Sequence, residues 1–464
     1  MKQGARFIAI EVLCKWEESG QAVDIVMERY LKRFPAADPR DSHLAFALVY
    51  GVIRWRTYLG RVVADYSTHP LLKMKTRTLQ ALRVGLFQFI FMDRIPTSAA
   101  INESVKAMKA ARQPKWLVNF VNGLLRSVDR DRENLPDPWD VSDSSVPIHD
   151  ILNHPEWIYK RWHKRFGREK SIEICRRNNT QAPLNIRVNT KAITKNQLIE
   201  KLSRAGIRAR AGAFAPESVR IEDIKGPVSE TPGYKEGFFA VQDEAAQLAV
   251  LLMGPLLEGK KYLDGCAGLG GKTCQLAGML PEKSSIVAVE PGNQRARLLE
   301  ENLGRLGCSE HVIIYNSRLE ELSLEHRGAY DGILVDAPCS GLGVIRRHPD
   351  IRWNRRPDDL RRFHDIQISL IDTAADMVSP GGCLVFITCS MEPEENEEVV
   401  RDFLAGHPDF ALSNCNEFLP LSCHGFVDEN GFFRTVSGEQ GLDGFFGARL
   451  IRCPLHRINN FNKL

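Results

Sequence analysis

Two short apolar runs constrain the fold of this 464-residue chain most, because both lead directly into reactive side chains. The first, at 333–335, is followed by Asp336 and, three residues later, by Cys339. The second, at 383–387, leads to Cys389. Such a run is typical of a buried parallel strand that opens into a loop at its carboxyl end. Because ligands bind at that edge of an open α/β sheet, the sequence predicts an active site formed by these three residues.

The residues around these runs alternate between strand-like and helix-like patterns. The pattern predicts strands at 261–264, 286–290 and 312–315 and a helix at 295–306. Alternation of this kind favours a doubly wound, largely parallel sheet. The C-terminal domain, at 241–455, is therefore predicted to be a Rossmann-like α/β domain.

Two further domains are predicted before it. Residues 1–140 carry apolar side chains at helical spacing, among them Ile8, Val12 and Trp16, which predicts an all-α domain. A linker rich in proline, acids and serine follows. Residues 154–240 then alternate helix with strand, as expected of a small α+β module. The chain is thus predicted to be multidomain.

Composition excludes several classes of protein. The 11 cysteines form no Cys-x-x-Cys pair and no cluster at zinc spacing, so neither a disulfide scaffold nor a metal site is predicted. No apolar run has the length of a membrane span, and the start lacks the apolar core of a signal peptide. A cytoplasmic, monomeric protein without membrane contact is expected.

A run of arginines follows the first site cysteine. Arginines in such a run ordinarily form a solvated helix face. Beside a catalytic loop, and interleaved with Trp353 and Phe363, they are better interpreted as a rim that contacts phosphates. The members are Arg346, Arg347, Arg352, Arg355, Arg356, Arg361 and Arg362.

The glycine-rich turn at 264–273 permits two interpretations. A phosphate-binding loop requires glycine, four residues and then Gly-Lys-Ser/Thr, but here five residues separate Gly265 from Gly271, and Cys266 occupies the required glycine position. The alternative is a Rossmann-like loop whose backbone N–H groups approach an adenosine cofactor. Glu290, at the end of the next predicted strand, is placed to accept hydrogen bonds from ribose hydroxyls. An NAD site would also require this acid, but hydride transfer has no need of two cysteines.

Two thiols and a carboxyl group suit methyl transfer to cytosine C5. Thiolate attack at C6 makes C5 nucleophilic, a carboxyl group on the N3/N4 edge stabilises the developing charge, and a base removes the C5 proton. Asp336, Cys339 and Cys389 supply these groups, although the chemistry alone does not rank the two thiols. Cysteine is ordinarily a small buried hydrophobe. That is the prediction for Cys14, Cys175, Cys308 and Cys383.

At these residues the chain resembles the RNA (cytosine-5)-methyltransferase family. The matching stretches are 336–340, 388–390, 270–273, 242–247 and 443–446. Residues 343–351 resemble more narrowly the bacterial Sun/Fmu (RsmB) type, which modifies small-subunit ribosomal RNA. The helical N-terminus, at 50–55 and 92–96, is similar to the NusB-like RNA-binding domain of that type.

The resemblance implies S-adenosylmethionine-dependent methylation of cytosine C5 in 16S ribosomal RNA through a cysteine–C6 adduct. It implies Cys389 as the nucleophile, Cys339 as the cysteine that assists product release and Asp336 as the acid on the base. The implied partner is ribosomal RNA with a single-stranded or flipped cytosine. The implied cofactor-binding residues are Cys266, Ala267, Gly268, Leu269, Gly270, Gly271, Lys272, Glu290, Ser317 and Asp336.

Two departures from the family pattern bear on the cofactor. The family usually has Ala-Pro-Gly-Gly-Lys where this chain has residues 268–272, so the turn lacks its proline but keeps its backbone donors. The family often places an aspartate near the adenine, where this chain has Ser317. Weaker cofactor binding is therefore expected, because serine accepts a hydrogen bond without a charge.

Two alternative functions stay open at this stage. One is cytosine-5 methylation of transfer RNA, and the other is an RNA-binding ribosome-assembly factor that has lost catalysis. The intact Asp336, Cys339 and Cys389 argue against the second. A DNA methyltransferase is disfavoured, because the chain carries Thr388-Cys389 in addition to Pro338-Cys339.

Overall fold

A computed structural model describes residues 3–36, 38–224, 226–322 and 326–454. The predicted domain limits at residues 1 and 455 lie outside the described residues. The described chain divides into two compact units. The first contains the residues up to Gln181 together with Ile345–Arg355, and the second contains Ala182–Val344 and the residues from Arg356 onward.

Helices make up most of the first unit. The second unit contains helices of its own in addition to its sheets. Helix α9 is interrupted at Gly167, whose φ of 78° lies outside the helical region. In chain order the helices are α1 (Ala5–Ser19), α2 (Val23–Arg33), α3 (Pro39–Arg54), α4 (Arg56–Asp65), α5 (Thr76–Phe91), α6 (Thr97–Ala110), α7 (Lys115–Arg130), α8 (Ile148–Ile151), α9 (Glu156–Asn178), α10 (Lys195–Arg204), α11 (Glu244–Leu251), α12 (Gly271–Met279), α13 (Asn293–Arg305), α14 (Ile351–Asn354), α15 (Pro357–Met377) and α16 (Glu397–Gly406).

The strands lie in two sheets of the second unit. In chain order they are β1 (Leu184–Val188), β2 (Ala209–Ala211), β3 (Ser218–Ile221), β4 (Phe239–Val241), β5 (Lys261–Asp264), β6 (Ser285–Val289), β7 (Val312–Tyr315), β8 (Tyr330–Asp336), β9 (Val378–Thr388), β10 (Phe410–Ser413), β11 (Phe433–Arg434) and β12 (Phe446–Arg452).

The larger sheet confirms the predicted Rossmann-like domain. Its strand order is β10-β12-β9-β8-β5-β6-β7, and β11 pairs with β12. The strands from β9 to β7 run parallel to their neighbours, whereas β12 is antiparallel to both β9 and β10. The strands β5, β6, β8 and β9 therefore end at one edge of the sheet, which is where reactive loops are expected.

The smaller sheet belongs to the predicted α+β module. Its order is β2-β3-β1-β4, and each pair is antiparallel. Ile186, Val219 and Phe239 are buried beneath it together with Leu198 of α10. Apolar alternation along β1 predicts this packing, because successive side chains of a strand point to opposite faces. Helix α9 lies in the first unit, although the sequence pattern places its residues with the module.

The stretch at 242–247 joins this module to the larger sheet. Glu244 is buried and accepts hydrogen bonds from the backbone N–H groups of Phe214 and Ala215, at 2.9 and 3.0 Å. Asp243 caps α11 through the N–H of Ala245. Gln242 accepts a 2.7 Å hydrogen bond from Arg187 of β1. The residues of this stretch that match the methyltransferase family therefore make contacts that hold the structure together.

The helical unit is built on apolar stripes that the sequence predicts. Ile8, Val12, Leu13 and Trp16 of α1 are all buried in its core. Residues at this spacing share one face of a helix, so their burial fixes which face of α1 packs inward. Among the described residues, no helix combines the length and the apolar character that crossing a membrane requires.

Arg352 lies in the interior of the first unit and has no exposed surface. Its guanidinium donates hydrogen bonds to the Asn153 carbonyl at 2.8 Å, to Asn179 Oδ1 at 2.7 Å and to the Asn178 carbonyl at 3.1 Å. Burial lowers the pKa of Arg352 to about 9. The prediction that Arg352 contacts a phosphate is therefore wrong. Its buried side chain instead connects the 345–355 segment to residues 153–179 by hydrogen bonds.

Two other members of the run are placed differently. Arg361 and Arg362 are exposed on α15 and pair with Asp365 and Asp359, respectively. Ion pairs at exposed positions contribute little to stability and compete weakly with a phosphate. A phosphate-contacting role stays a prediction for these residues.

Replacing Arg352 by alanine should lower the free energy of unfolding by about 2–4 kcal/mol, because several buried oxygen acceptors lose their donor. Arg361→Ala is the matched control, since it removes an arginine of the same run from an exposed position. Chemical denaturation measures both. Equal stability of the two variants would contradict the structural role of Arg352.

Candidate active site

The two predicted site cysteines lie side by side. Cys339 follows β8, Cys389 follows β9, and their Sγ atoms are 3.2 Å apart. Both thiols are half-buried. The pairing follows from the parallel register of the strands, in which Asp336 lies opposite Ile387. The structure thus brings together the cysteines that the sequence places 50 residues apart.

The two thiols are electrostatically coupled. The hydrogen bond to Cys389, burial, and the charge of Cys389 together raise the pKa of Cys339 well above its ordinary value. Cys339 therefore keeps its proton at neutral pH, within hydrogen-bonding distance of the Cys389 sulfur.

Asp336 forms an ion pair with Lys272. The distance between Lys272 Nζ and Asp336 Oδ2 is 2.5 Å, and the ammonium group lies 5.5 Å from the centre of the Phe445 ring. Burial lowers the pKa of Lys272, but Asp336 and Cys389 outweigh this effect, so that its pKa is raised. Lys272 is therefore charged at neutral pH. The sequence assigns Lys272 to the cofactor loop, which stays a prediction, and in the structure its ammonium group pairs with the Asp336 carboxylate.

The glycine-rich turn connects β5 to α12. Gly268 and Gly270 have φ values of 55° and 87°, and Gly270 is the N-cap of α12. A side chain on Gly270 would lie 2.5 Å from Leu299 as well as adopt an unfavourable backbone conformation. Burial, followed by the nearby Asp264, raises the pKa of Cys266 well above its ordinary value. The Cys266 thiol is therefore neutral, and the backbone is the part of Cys266 suited to a ligand.

The residues that follow β6 and β7 fit a polar cofactor. Glu290 is buried, and one of its carboxylate oxygens accepts a 2.8 Å hydrogen bond from the Gly292 N–H group. Asn316 donates to the Glu290 carbonyl at 2.8 Å. The hydroxyl of Ser317 is buried and has no hydrogen-bond partner among the described residues. A buried hydroxyl of this kind is costly unless a ligand satisfies it.

The loops of the site approach each other closely at Gly343. Its N–H group donates to the Cys389 carbonyl at 3.0 Å, and its own carbonyl accepts from Gly444 at 2.8 Å. A Cβ atom on Gly343 would lie 2.0 Å from the Gly444 oxygen and 2.8 Å from the Cys389 oxygen. Glycine is therefore required where the Cys389 loop, the 443–446 stretch and the Cys339 loop meet.

The four cysteines that the sequence predicts to be buried hydrophobes are buried in the structure. They are Cys14, Cys175, Cys308 and Cys383. Within the described ranges, no group of three or more His, Cys, Asp and Glu side chains could hold a metal ion.

Sequence reasoning missed Glu395, which lies between the two cysteine loops. Its carboxylate accepts hydrogen bonds from Ser340 and Ser390, the residues that follow Cys339 and Cys389. The run of acids at 392–398 is the sequence signal nearest to it, but acids are common before a helix N-terminus. Only the fold distinguishes Glu395 from its neighbours.

Three family models match the chain. The model described as "16S rRNA methyltransferase RsmB/F" matches residues 251–451, the NusB family model matches 3–130, and a model for the ferredoxin-like domain of RsmF/B-like methyltransferases matches 154–228. The probable ribosomal RNA small subunit methyltransferase B of Bacillus subtilis is 32% identical over 451 residues, which cover 96% of this chain and 98% of that protein. The chain belongs to the RsmB/F family of 16S rRNA methyltransferases.

Further members and solved structures agree with this assignment. The ribosomal RNA small subunit methyltransferase B of Vibrio cholerae is 35% identical over 415 residues, which cover 89% of this chain and 90% of that protein. The crystal structure of PH0851 shares the fold, with a TM-score of 0.78 at 24% identity over 97% of this chain and 99% of that one. A methyltransferase homologue from Pyrococcus horikoshii has a TM-score of 0.54 at 27% identity and covers 65% of this chain and 96% of its own.

An RsmB/F methyltransferase uses S-adenosylmethionine as its cofactor. The buried Ser317 hydroxyl, the Glu290 carboxylate and the backbone of the glycine-rich turn fit this ligand, which carries ribose hydroxyls, an adenine and a charged amino-acid end. The residue-by-residue assignment stays a prediction.

Ser317→Asp should tighten S-adenosylmethionine binding about tenfold, because a charged acceptor forms a hydrogen bond stronger by roughly 1.5 kcal/mol or more. Titration calorimetry measures the affinity. Ser309→Asp is the control for added negative charge, since Ser309 is exposed in the same unit. Equal affinity of Ser317→Asp and the unaltered protein would argue against an adenine contact at this position.

Gly343→Ala should lower kcat for methyl transfer at least tenfold, because the added methyl group displaces the Cys389 loop. Gly278→Ala is the control, since a Cβ atom there meets nothing within 4 Å. Steady-state kinetics at saturating cofactor measures both. An unchanged kcat in Gly343→Ala would show that this close approach does not set the position of Cys389.

Proposed function

We propose that this RsmB/F methyltransferase transfers a methyl group from S-adenosylmethionine to C5 of a cytosine in 16S ribosomal RNA, through a covalent bond between Cys389 and C6. The observation that carries the proposal is the 3.2 Å separation of the Cys339 and Cys389 sulfurs beside Asp336, at the ends of adjacent strands. A nucleophile with an adjacent acid–base group is what a transient adduct requires.

Cys389 acts as the nucleophile and Cys339 as its acid–base partner. The sulfur of Cys339 lies 3.2 Å from that of Cys389, within hydrogen-bonding distance, before attack. Once Cys389 becomes a neutral thioether, its hydrogen bond and its charge no longer raise the pKa of Cys339, although burial and Glu395 still do. Cys339 then releases its proton to solvent, and its thiolate accepts the C5 proton of the methylated adduct. The electron pair of the C5–H bond re-forms the C5–C6 double bond, and Cys389 leaves C6 as a thiolate.

Asp336 and Lys272 position and polarise the base. The Asp336 carboxylate accepts a hydrogen bond from the amino group on C4, which orients the ring over Cys389. The adjacent ammonium group of Lys272 places a positive charge where negative charge builds up on the ring during attack. Preorganised charges of this kind favour the transition state over the ground state.

Cofactor binding is assigned to residues 266–272, Glu290 and Ser317. S-adenosylmethionine supplies an electrophilic methyl group when it is bound there. The N-terminus of α12 favours a carboxylate, and Glu290 accepts hydrogen bonds from hydroxyls. These contacts hold the ligand beside the strand ends that carry the cysteines.

Ribosomal RNA is preferred over transfer RNA as the substrate. The similar proteins of Bacillus subtilis and Vibrio cholerae carry the name of small-subunit ribosomal RNA methyltransferases. Attack at C6 requires access to the face of the base, so the target is an unpaired or flipped cytosine. Cytoplasmic localisation and a monomeric state stay predictions from the sequence.

Cys389→Ala should abolish methyl transfer from labelled S-adenosylmethionine to deproteinised 16S ribosomal RNA, because the nucleophile is absent. Cys339→Ala should form a protein–RNA adduct that survives denaturing electrophoresis, because adduct release is slowed. Cys453→Ala, which changes a half-buried cysteine far from the motif in sequence, should behave as the unaltered protein.

Four outcomes would contradict parts of the proposal. Transfer by Cys389→Ala would exclude Cys389 as the nucleophile, and a label on N4 or on the ribose would exclude C5 chemistry. Stronger labelling of transfer RNA in a parallel reaction would favour that substrate. Tight RNA binding without any transfer by the unaltered protein would favour an assembly factor that has lost catalysis.

A further inference from the structure

Glu395 is a fully buried carboxylate between the two cysteine loops. Its Oε1 accepts a 2.5 Å hydrogen bond from the Ser340 N–H group. Its Oε2 accepts 2.5 Å hydrogen bonds from both the Ser340 and the Ser390 hydroxyls. One carboxylate thus binds the residues that directly follow Cys339 and Cys389. We propose that Glu395 is a positioning residue that fixes the distance and relative orientation of the two thiols.

The contacts next to Glu395 hold it in place. Asn396 accepts a 2.5 Å hydrogen bond from the Thr388 hydroxyl and donates to the Ser390 carbonyl at 3.1 Å. These two bonds fix the residues on either side of Cys389 to the segment that carries Glu395. The hydrogen bonds between Glu395 and Ser340 therefore connect the Cys339 loop to the end of β9.

The chemistry of the bridge favours a carboxylate over a neutral side chain. Burial raises the pKa of Glu395, and the hydrogen bonds from Ser340 and Ser390 oppose that shift. Burying a carboxylate costs free energy, so packing alone does not explain a glutamate at position 395. An ionised carboxylate accepts on both oxygens, whereas an amide presents one acceptor and one donor. Glutamine at this position would turn an N–H group toward a donor of Ser340 or Ser390.

The negative charge of Glu395 also affects the thiols directly. It is one of the groups that raise the pKa of Cys339. Glu395 therefore supports the protonated state of Cys339 in addition to its position. The positioning effect and the charge effect of Glu395 both act on the reaction through the cysteines. Its carboxylate hydrogen-bonds to Ser340 and Ser390, the residues that follow Cys339 and Cys389.

Disulfide formation measures the thiol geometry without RNA or cofactor. Diamide oxidises two adjacent thiols: the sulfurs form one S–S bond, and the N=N bond of diamide takes up the two electrons and two protons. The unaltered protein should form the Cys339–Cys389 disulfide, detected by mass spectrometry of the linked peptides. In Glu395→Gln the rate at the high-pH plateau of the pH profile, where the thiolate fraction no longer differs between variants, should fall about tenfold, because aligned reacting groups account for large rate factors. Glu398→Gln, on a half-exposed residue of α16, should keep the normal rate.

A second variant covers the case in which Glu395→Gln does not fold. Ser390→Ala keeps the carboxylate and removes one of its two loop contacts, so it should slow disulfide formation in the same direction. Normal oxidation rates in both folded variants would overturn the proposal. So would the absence of any Cys339–Cys389 disulfide in the unaltered protein, because the 3.2 Å separation would then be incorrect.

Methyl-transfer kinetics test the consequence for catalysis, which rests on the proposed function. Glu395→Gln should lower kcat about tenfold or more at an unchanged KM for S-adenosylmethionine, since the thiols and not the cofactor site are displaced. A lower disulfide rate without methyl transfer by the unaltered protein would support the positioning role while rejecting the proposed function. A normal kcat in Glu395→Gln would overturn the proposal.

Discussion

The parallel pairing of β8 with β9 is the constraint on which the site depends. In this register Val335 lies opposite Phe386 and Asp336 opposite Ile387, so both chains leave the sheet at the same level. Val335 and Phe386 are buried in one apolar core, and a shift of either strand by one residue would turn its side chains to the opposite face. The hydrophobic core thereby determines where the sulfurs lie. The reactive loops need only short connections, because the strands have already aligned them.

The polar groups at this edge compensate one another's charge. The ammonium group of Lys272 neutralises the Asp336 carboxylate. The pKa of Lys272 is raised because Asp336 and Cys389 both favour its charged form. Glu395 is held by the hydroxyl groups of Ser340 and Ser390 and by the Ser340 N–H group. Cys389 thus interacts electrostatically with a cation, Lys272, and Cys339 with a buried acid, Glu395. Such an arrangement favours the protonated form of Cys339, whose pKa is raised.

The sequence predicts the strands and the cysteines well because both depend on local patterns. Cys383 lies inside an apolar run and Cys389 just beyond it, so burial of the first and partial exposure of the second follow from periodicity. Contacts distant in sequence are less predictable. Nothing in the arginine run marks Arg352 as the buried member, since its acceptors come from residues 153–179. Glu395 is likewise hidden among acids, because its two serines become neighbours only after the strands pair.

The inclusion of Ile345–Arg355 in the helical unit has a consequence for synthesis of the chain. This segment begins six residues after Cys339, yet its arginine completes the interior of a unit whose other residues end at Gln181. The ribosome releases the first four strands of the larger sheet before that interior can close. The helical unit therefore reaches its final packing late, although its helices are made first. A fragment cut at residue 181 would lack the Arg352 side chain, and we expect it to be an incomplete substitute for the N-terminal unit.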